Sequence, residues 1–342
     1  MNLELININK SFEKTHVLHD VSFEVNSGRA MGFLGRNGSG KTTTIRCIMD
    51  IFKPDSGEIL LDSHVFKPRE LKVGYLPEER GMYSKERILD QLIYFGQLKG
   101  GNKVESKQSA ESWLERFELS EYANRNLEVL SKGNQQKIQI IQAFLNDPDM
   151  IILDEPFSGL DPVNAELFKD AIKDAIVRDK LVIFSSHQMS YVEEFCDDIT
   201  LIDQGEILIN GSLNKIKTEM GEGKFRLETI NLSRPELKQT IREIGKSLKS
   251  VSELFVAEDK RSIIVDLKEI TENDFLQQVL SRGLQIKEFS VYLPNLTDIF
   301  LHYIKQNEDR AIVQKETDHI AGNPERFQRE KVSAKSSEKG MK

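Results

Sequence analysis

The segment GRNGSGKT, residues 35–42, constrains this chain more than any other stretch. It fits G-x-x-x-x-G-K-[ST] at every fixed position, directly after the apolar run Ala30–Leu34 and before a helically patterned stretch. Gly35, Gly38 and Gly40 let the backbone turn tightly and bring its N–H groups onto phosphate oxygens, with the partial positive charge of a helix N-terminus behind them. Arg36, Asn37, Ser39 and Thr43 belong to the same cradle. Lys41 is placed to reach the β- and γ-phosphates, and Thr42 to offer its hydroxyl to Mg²⁺. A plain glycine-rich turn beside a lysine is the bland alternative, and the strand–loop–helix context argues against it. The motif alone does not separate kinases, GTPases, motors and transporters.

The surrounding pattern supplies a matching fold. Up to about Asn210, short β-rich runs (VSFEV, AMGFLG, MIILDE, LVIFSS, ITLID) alternate with helical stretches at 41–52, 86–98, 108–118, 134–145, 162–177 and 188–196. Apolar strands separated by helices imply an α/β domain with a largely parallel sheet covered on both faces. Residues 88–146 carry helical patterning without a convincing strand and read as a helical insertion. The domain is expected to close near residue 215. Over 216–305 the order strand, helix, strand, strand, helix, strand, then a further helix, suits a small ferredoxin-like α+β unit. From Gln306 the chain turns polar and mixed in charge, so 306–342 reads as a flexible tail.

Composition narrows the setting. Hydrophobic residues make up 39% and charged residues 30%, the profile of a globular protein with a substantial core. No run approaches the roughly 20 apolar residues of a membrane helix. The start MNLELININK reads as a strand rather than a signal peptide. Cys47 and Cys196 are too few for a disulfide framework, which fits a reducing cytoplasm. The formal net charge of -8 argues against non-specific nucleic-acid binding.

Further motifs select one family. MIILDEP (150–156) ends an apolar run on two acids, LSKGNQQK (130–137) stands before a helix, SGLDP (158–162) follows the acids, and SSH (185–187) ends another apolar run. Together, in this order, they resemble the ABC ATPases over about residues 1–215. The resemblance implies that Asp154 helps hold Mg²⁺, that Glu155 polarises the attacking water and that His187 contacts the γ-phosphate. It also implies that Asp161 communicates across a dimer. Residues Ser131, Lys132, Gly133, Asn134 and Gln135 would form the signature that meets the ATP of the opposite subunit, with Lys132 and Asn134 departing from LSGGQ. Phe12 takes the place of an aromatic that stacks on adenine, and a plain core or edge-strand phenylalanine is the alternative.

VGYLPEERGMY (73–83) carries Glu78 where the family has a metal-coordinating glutamine. This segment, SKGNQQK and the appended unit resemble bacterial ABC-2-type exporter ATPases of the sodium-extrusion type. The resemblance implies an ATPase using ATP and Mg²⁺, peripheral on the inner face of the cell membrane. It would pair as a homodimer or paralogous heterodimer and drive separate permease subunits. A soluble ABC ATPase acting on ribosomes or DNA is the alternative. Such proteins hold two ATPase units in one chain or long coiled coils, and neither pattern is present.

Overall fold

A computed structural model describes residues 1–78, 81–157, 162–248, 251–255, 262–267 and 270–322. The chain divides into two compact units: one of Met1–Gln188, Ile199–Asn210 and the chain from Phe300 onward, the other of Met189–Asp198 and Gly211–Ile299.

The first unit opens with β1 (Asn2–Phe12) and β2 (Thr15–Asn26), paired antiparallel with Asn2 opposite Asn26 and Phe12 opposite Thr15. β3 (Ala30–Leu34) leads into α1 (Lys41–Ile48), followed by β4 (Ser56–Leu61), β5 (His64–Val65) and β6 (Val73–Leu76). Helices α2 (Ile88–Leu98), α3 (Lys103–Arg116) and α4 (Lys132–Phe144) come next, then β7 (Met150–Asp154), α5 (Pro162–Val177) and β8 (Leu181–Ser185). After α6 (Met189–Phe195), β9 (Asp198–Asp203) and β10 (Glu206–Ser212) complete a six-stranded sheet of order β10-β9-β3-β8-β7-β6.

Within that sheet β3, β8, β7 and β6 run parallel. Every residue of β3, β7 and β8 is buried, which is why AMGFL, MIILD and LVIFS are apolar runs rather than alternations. A separate antiparallel sheet of order β2-β1-β4-β5 also forms, and the expectation of a largely parallel sheet did not include it. β1 and β2 alternate over part of their length, and their inner residues Leu3, Leu5, Val21 and Phe23 share one core with Met31, Phe33, Ile45, Ile152 and Ile183. Phe23 and Phe33 bring their ring centroids to 5.3 Å across that core. Burying each such side chain contributes about 1.5–3 kcal/mol.

The insertion is helical, and α3 starts with a full capping box. Asn102 accepts from the Val104 and Glu105 N–H groups, and Glu105 accepts from the Asn102 N–H. Helix α1 ends at Ile48 rather than near residue 52, because Asp50 takes φ 55°, outside helical space.

The second unit continues with α7 (Leu213–Gly221), β11 (Lys224–Thr229), α8 (Arg234–Leu248), β12 (Val251–Phe255), β13 (Ile263–Leu267), α9 (Glu272–Ser281), β14 (Ile286–Val291) and the start of α10 (Leu296–Gly322). The strands form an antiparallel sheet of order β12-β13-β11-β14, the ferredoxin-like arrangement that β-α-β-β-α-β connectivity produces. Leu237, Ile241 and Ile244 lie at helical spacing on α8 and meet Leu227, Ile263, Val265 and Phe275 in its core.

The sequence reads 306–342 as a flexible tail; residues 306–322 continue α10 as helix. Lysine, glutamine, glutamate and arginine have high intrinsic helix propensity, so a helix already started at Leu296 propagates through polar sequence without an apolar stripe. Residues 323–342 lie outside the described residues.

Candidate functional site

Residues 35–40 join the end of β3 to the start of α1. Gly40, the N-cap of α1, has φ 111°, which a side chain would resist. A Cβ on Gly35 would fall 2.4 Å from the Ile202 carbonyl oxygen, so the loop fits against β9 only with glycine there. The Lys41 Nζ lies across the loop, donating to the carbonyl oxygens of Gly35 at 2.8 Å and Arg36 at 3.1 Å. Burial pushes this ammonium below its ordinary pKa, while the Glu155, Asp154 and Glu78 carboxylates pull it back up. An entering phosphate would take over these lysine protons. The Ser39 hydroxyl is buried with no hydrogen-bond partner.

The acidic pair stands where β7 ends, beside the end of β8. Parallel pairing sets Asp154 opposite Ser185, whose hydroxyl donates to Asp154 Oδ1. Asp154 is 2% exposed and its Oδ2 has no partner. Burial raises its pKa; the Ser185 hydrogen bond opposes that shift. Glu155 takes φ 51°, a left-handed conformation costing on the order of 1–3 kcal/mol for a residue of this type, and its N–H donates to the Ser185 carbonyl at 3.0 Å. That turn carries its carboxylate away from Asp154 and onto β8's exit. Glu155 Oε1 accepts from the His187 N–H at 2.9 Å, and Oε2 meets the Ser186 hydroxyl at 3.4 Å and His187 Nδ1 at 2.8 Å. One carboxylate is thus turned inward with an open oxygen, and the other is clamped at the rim.

These groups surround a cleft of about 490 Å³ lined by Asn37, Gly38, Gly40, Lys41, Thr42, Thr43, Glu78, Asp154, Glu155, His187 and Val17. That size suits a nucleotide-scale ligand. The open Asp154 oxygen and the Thr42 hydroxyl are hard donors of the kind Mg²⁺ takes. Among the described residues no three His, Cys, Asp or Glu side chains gather as a metal cage. This suits an ion that keeps waters and shares phosphate oxygens.

Phe12 is not among the residues lining the cleft. The residue is 38% exposed, and its ring packs edge-on against Phe52 at 5.1 Å between centroids. Residues 131–135 are also absent from the lining. Ser131 caps α4 by accepting from the Asn134 N–H at 3.3 Å, and Gln135 turns to the Leu130 carbonyl at 3.0 Å. Lys132 and Gly133 occupy the first turn behind that cap. Asp161 lies outside the described residues. Ser185 and Ser186, in the sequence only the residues before His187, donate to the two acids, Ser185 to Asp154 and Ser186 to Glu155. Val17 carried no sequence signal as a wall of the cleft.

The ABC transporter family profile matches residues 18–158, and the profile "ATP-binding protein DrrA1-3-like, C-terminal domain" matches 211–304. An uncharacterized ABC transporter ATP-binding protein of Bacillus subtilis (strain 168), YhaQ, is 41% identical over 225 residues, which is 64% of this chain and 74% of that protein. The chain belongs to the ABC transporter ATP-binding proteins. The ABC transporter ATP-binding protein NatA of Bacillus subtilis (strain 168) is 37% identical over 204 residues, covering 58% of this chain and 83% of NatA. A solved ATP-binding subunit of an ABC transporter superposes with a TM-score of 0.60 at 27% identity, over 65% of this chain and 94% of its own. As a member of this family, the chain carries an ABC ATPase domain in its first unit; the loop and the two acids fall within residues 18–158, and His187 lies in the same compact unit. No described helix is long and apolar enough to cross a membrane.

Proposed function

We propose that this ABC ATP-binding protein is the ATPase subunit of a bacterial exporter, working as one half of a dimer that closes around two Mg²⁺–ATP and drives separate permease subunits. The observation that carries the dimer is the division of the motifs: Lys41, Asp154, Glu155 and His187 line one cleft, whereas Ser131–Gln135 stand apart from it at the N-terminus of α4. A helix N-terminus with free donors suits a phosphate brought by a second copy.

Within the cleft, Lys41 takes the β- and γ-phosphates, while Thr42 and Asp154 hold the Mg²⁺ that would neutralise them. Glu155 accepts the proton of the attacking water, and His187 steadies both that carboxylate and the γ-phosphate. Tyr94, Leu98 and Val104 of the helical insertion stay 51%, 65% and 65% exposed, which supports docking of a permease there. Likeness to NatA and the LPEERGMY segment support an exporter on the cytoplasmic side of the membrane.

Purified Glu155→Gln protein, mixed with Mg²⁺–ATP and run on size-exclusion chromatography with light scattering, tests the core of this reading. A dimer that appears with ATP and is absent with ADP is expected. A monomer at saturating ATP, or undiminished turnover, overturns it.

A further inference from the structure

Gln136 stands on α4 one helical turn beyond Lys132, and at 8% exposure its amide is buried rather than solvated. Its Nε2 donates to the carbonyl oxygen of Pro156 at 3.3 Å, outside the nucleotide cleft. Proline has no N–H, so that carbonyl is the one main-chain hydrogen-bonding group that the residue after Glu155 offers. Glu155 itself sits in the left-handed region at φ 51°, a conformation that persists only where the surroundings over-determine it. Strand β8 supplies one hold on this turn, through the Glu155 N–H on the Ser185 carbonyl at 3.0 Å. Gln136 supplies another, from α4. Aromatic packing joins the same segments: Phe157 sets its ring 5.0 Å from Phe168 of α5 and 5.5 Å from Phe184 of β8, and Phe168 lies 6.2 Å from Phe144, the last residue of α4. Both ends of α4 therefore bear on the chain leaving Glu155, Gln136 directly and Phe144 through Phe168.

We propose that Gln136 is a positioning residue for Glu155, tying the turn that aims this carboxylate to the helix whose N-terminus meets the second nucleotide. This rests on the dimer reading above and adds the link between its two halves. A phosphate at Ser131–Gln135 seats α4, and α4 through Gln136 holds Pro156 and with it the direction of Glu155. The bond at 3.3 Å is longer than the usual range of about 2.7–3.2 Å, so it has room to tighten as α4 is drawn onto the phosphate. A carboxylate that takes a proton from water depends steeply on its placement, which is why one hydrogen bond to the neighbouring carbonyl counts.

The test compares the full chain with Gln136→Leu, which removes the donor, and Gln136→Glu, which keeps the shape and sets an acceptor against the Pro156 carbonyl. Turnover at saturating Mg²⁺–ATP, affinity for a fluorescent ATP analogue, and dimer formation in a Glu155→Gln background are read for each. The expected result is a fall in kcat of about tenfold, the scale of one neutral hydrogen bond, with analogue affinity and the ATP-dependent dimer unchanged. Adding Gln136→Leu to Glu155→Gln should cost nothing further in residual turnover, because the group it positions is already gone. A general loss of packing would instead add to the Glu155→Gln defect and weaken analogue binding, and that outcome overturns the inference. Unchanged kcat in both variants overturns it as well. Should one variant fold poorly, the other carries the comparison. Glu155→Gln protein that binds the analogue but stays monomeric in ATP overturns the dimer reading, and this inference with it.

Discussion

Arg36 Nη1, in the phosphate-binding loop, donates to Glu308 Oε1 of α10 at 2.8 Å. One residue earlier, Asn307 Nδ2 reaches the buried Asp203 Oδ2 at 3.2 Å. The last helix is thereby tied to both the loop and the end of β9. The ion pair is about half exposed on each side, and such pairs contribute about 0–1 kcal/mol. Glu308→Gln should lower the unfolding free energy from urea denaturation by no more than about 1 kcal/mol. A chain ending at Lys305 loses both contacts and should keep turnover of the same order as wild type. A collapse of turnover in the shortened chain would instead make the helix a support of the loop.

Lys41 and Glu155 should separate binding from chemistry. Lys41→Ala removes the cation facing the phosphates and is expected to weaken nucleotide affinity in a filter or fluorescence assay. Glu155→Gln keeps the cleft and should bind normally while losing about 10²–10⁴ in turnover, the range for a general base. His187→Ala should fall between wild type and Glu155→Gln, because the backbone N–H of residue 187 still holds Glu155 Oε1. Equal losses in the two variants would contradict that geometry.

Lys99 gives a pH signature. Its Nζ donates to the carbonyl oxygens of Gln142 and Ala143 at the end of α4, and burial lowers its pKa from 10.5 to about 7. The unfolded chain keeps that proton up to about pH 10.5, so between pH 7 and 10.5 the unfolded state holds more protons than the folded one. Stability from this group therefore rises with pH through that window. Chemical denaturation at pH 7 and pH 9 should show a larger gain for wild type than for Lys99→Met. An identical pH dependence in the two proteins would mean the ammonium is solvated.

Both thiols should be inert in the folded protein. Cys47 is 3% exposed and burial pushes its pKa up to about 11; Cys196 is 7% exposed and burial moves it further in the same direction. Since the thiolate is the reactive form, a disulfide reagent at pH 8 should titrate neither thiol within minutes, and both after denaturation. Rapid reaction of one native thiol would show local opening at that site.

Features written in contiguous residues were legible before any coordinates. The loop 35–42 is a fixed spacing of glycines, lysine and threonine that acts through its own backbone, and Asp154–Glu155 are adjacent at the end of an apolar run. The order of elements from 224 to 291 was likewise visible, because α8 carries its core residues at helical spacing, whereas Phe225 and Leu227, and Ile263, Val265 and Leu267, enter the core two residues apart. Tertiary structure alone decided which distant segments became neighbours. Strand β8 lies between β3 and β7, so Ser185 falls opposite Asp154 and the chain leaving β8 meets Glu155, and no local pattern encodes that partnership. The antiparallel sheet of β1, β2, β4 and β5 depends on long-range pairing in the same way. Helix α10 ran on past residue 305 because polar residues with high helix propensity extend a formed helix without needing an apolar face. Glu78 lines the cleft because it follows the end of β6, which pairs with β7 in the assembled sheet. Chemistry at single positions was readable from residue type and spacing, whereas the partners that tune each group were set by strand order and register.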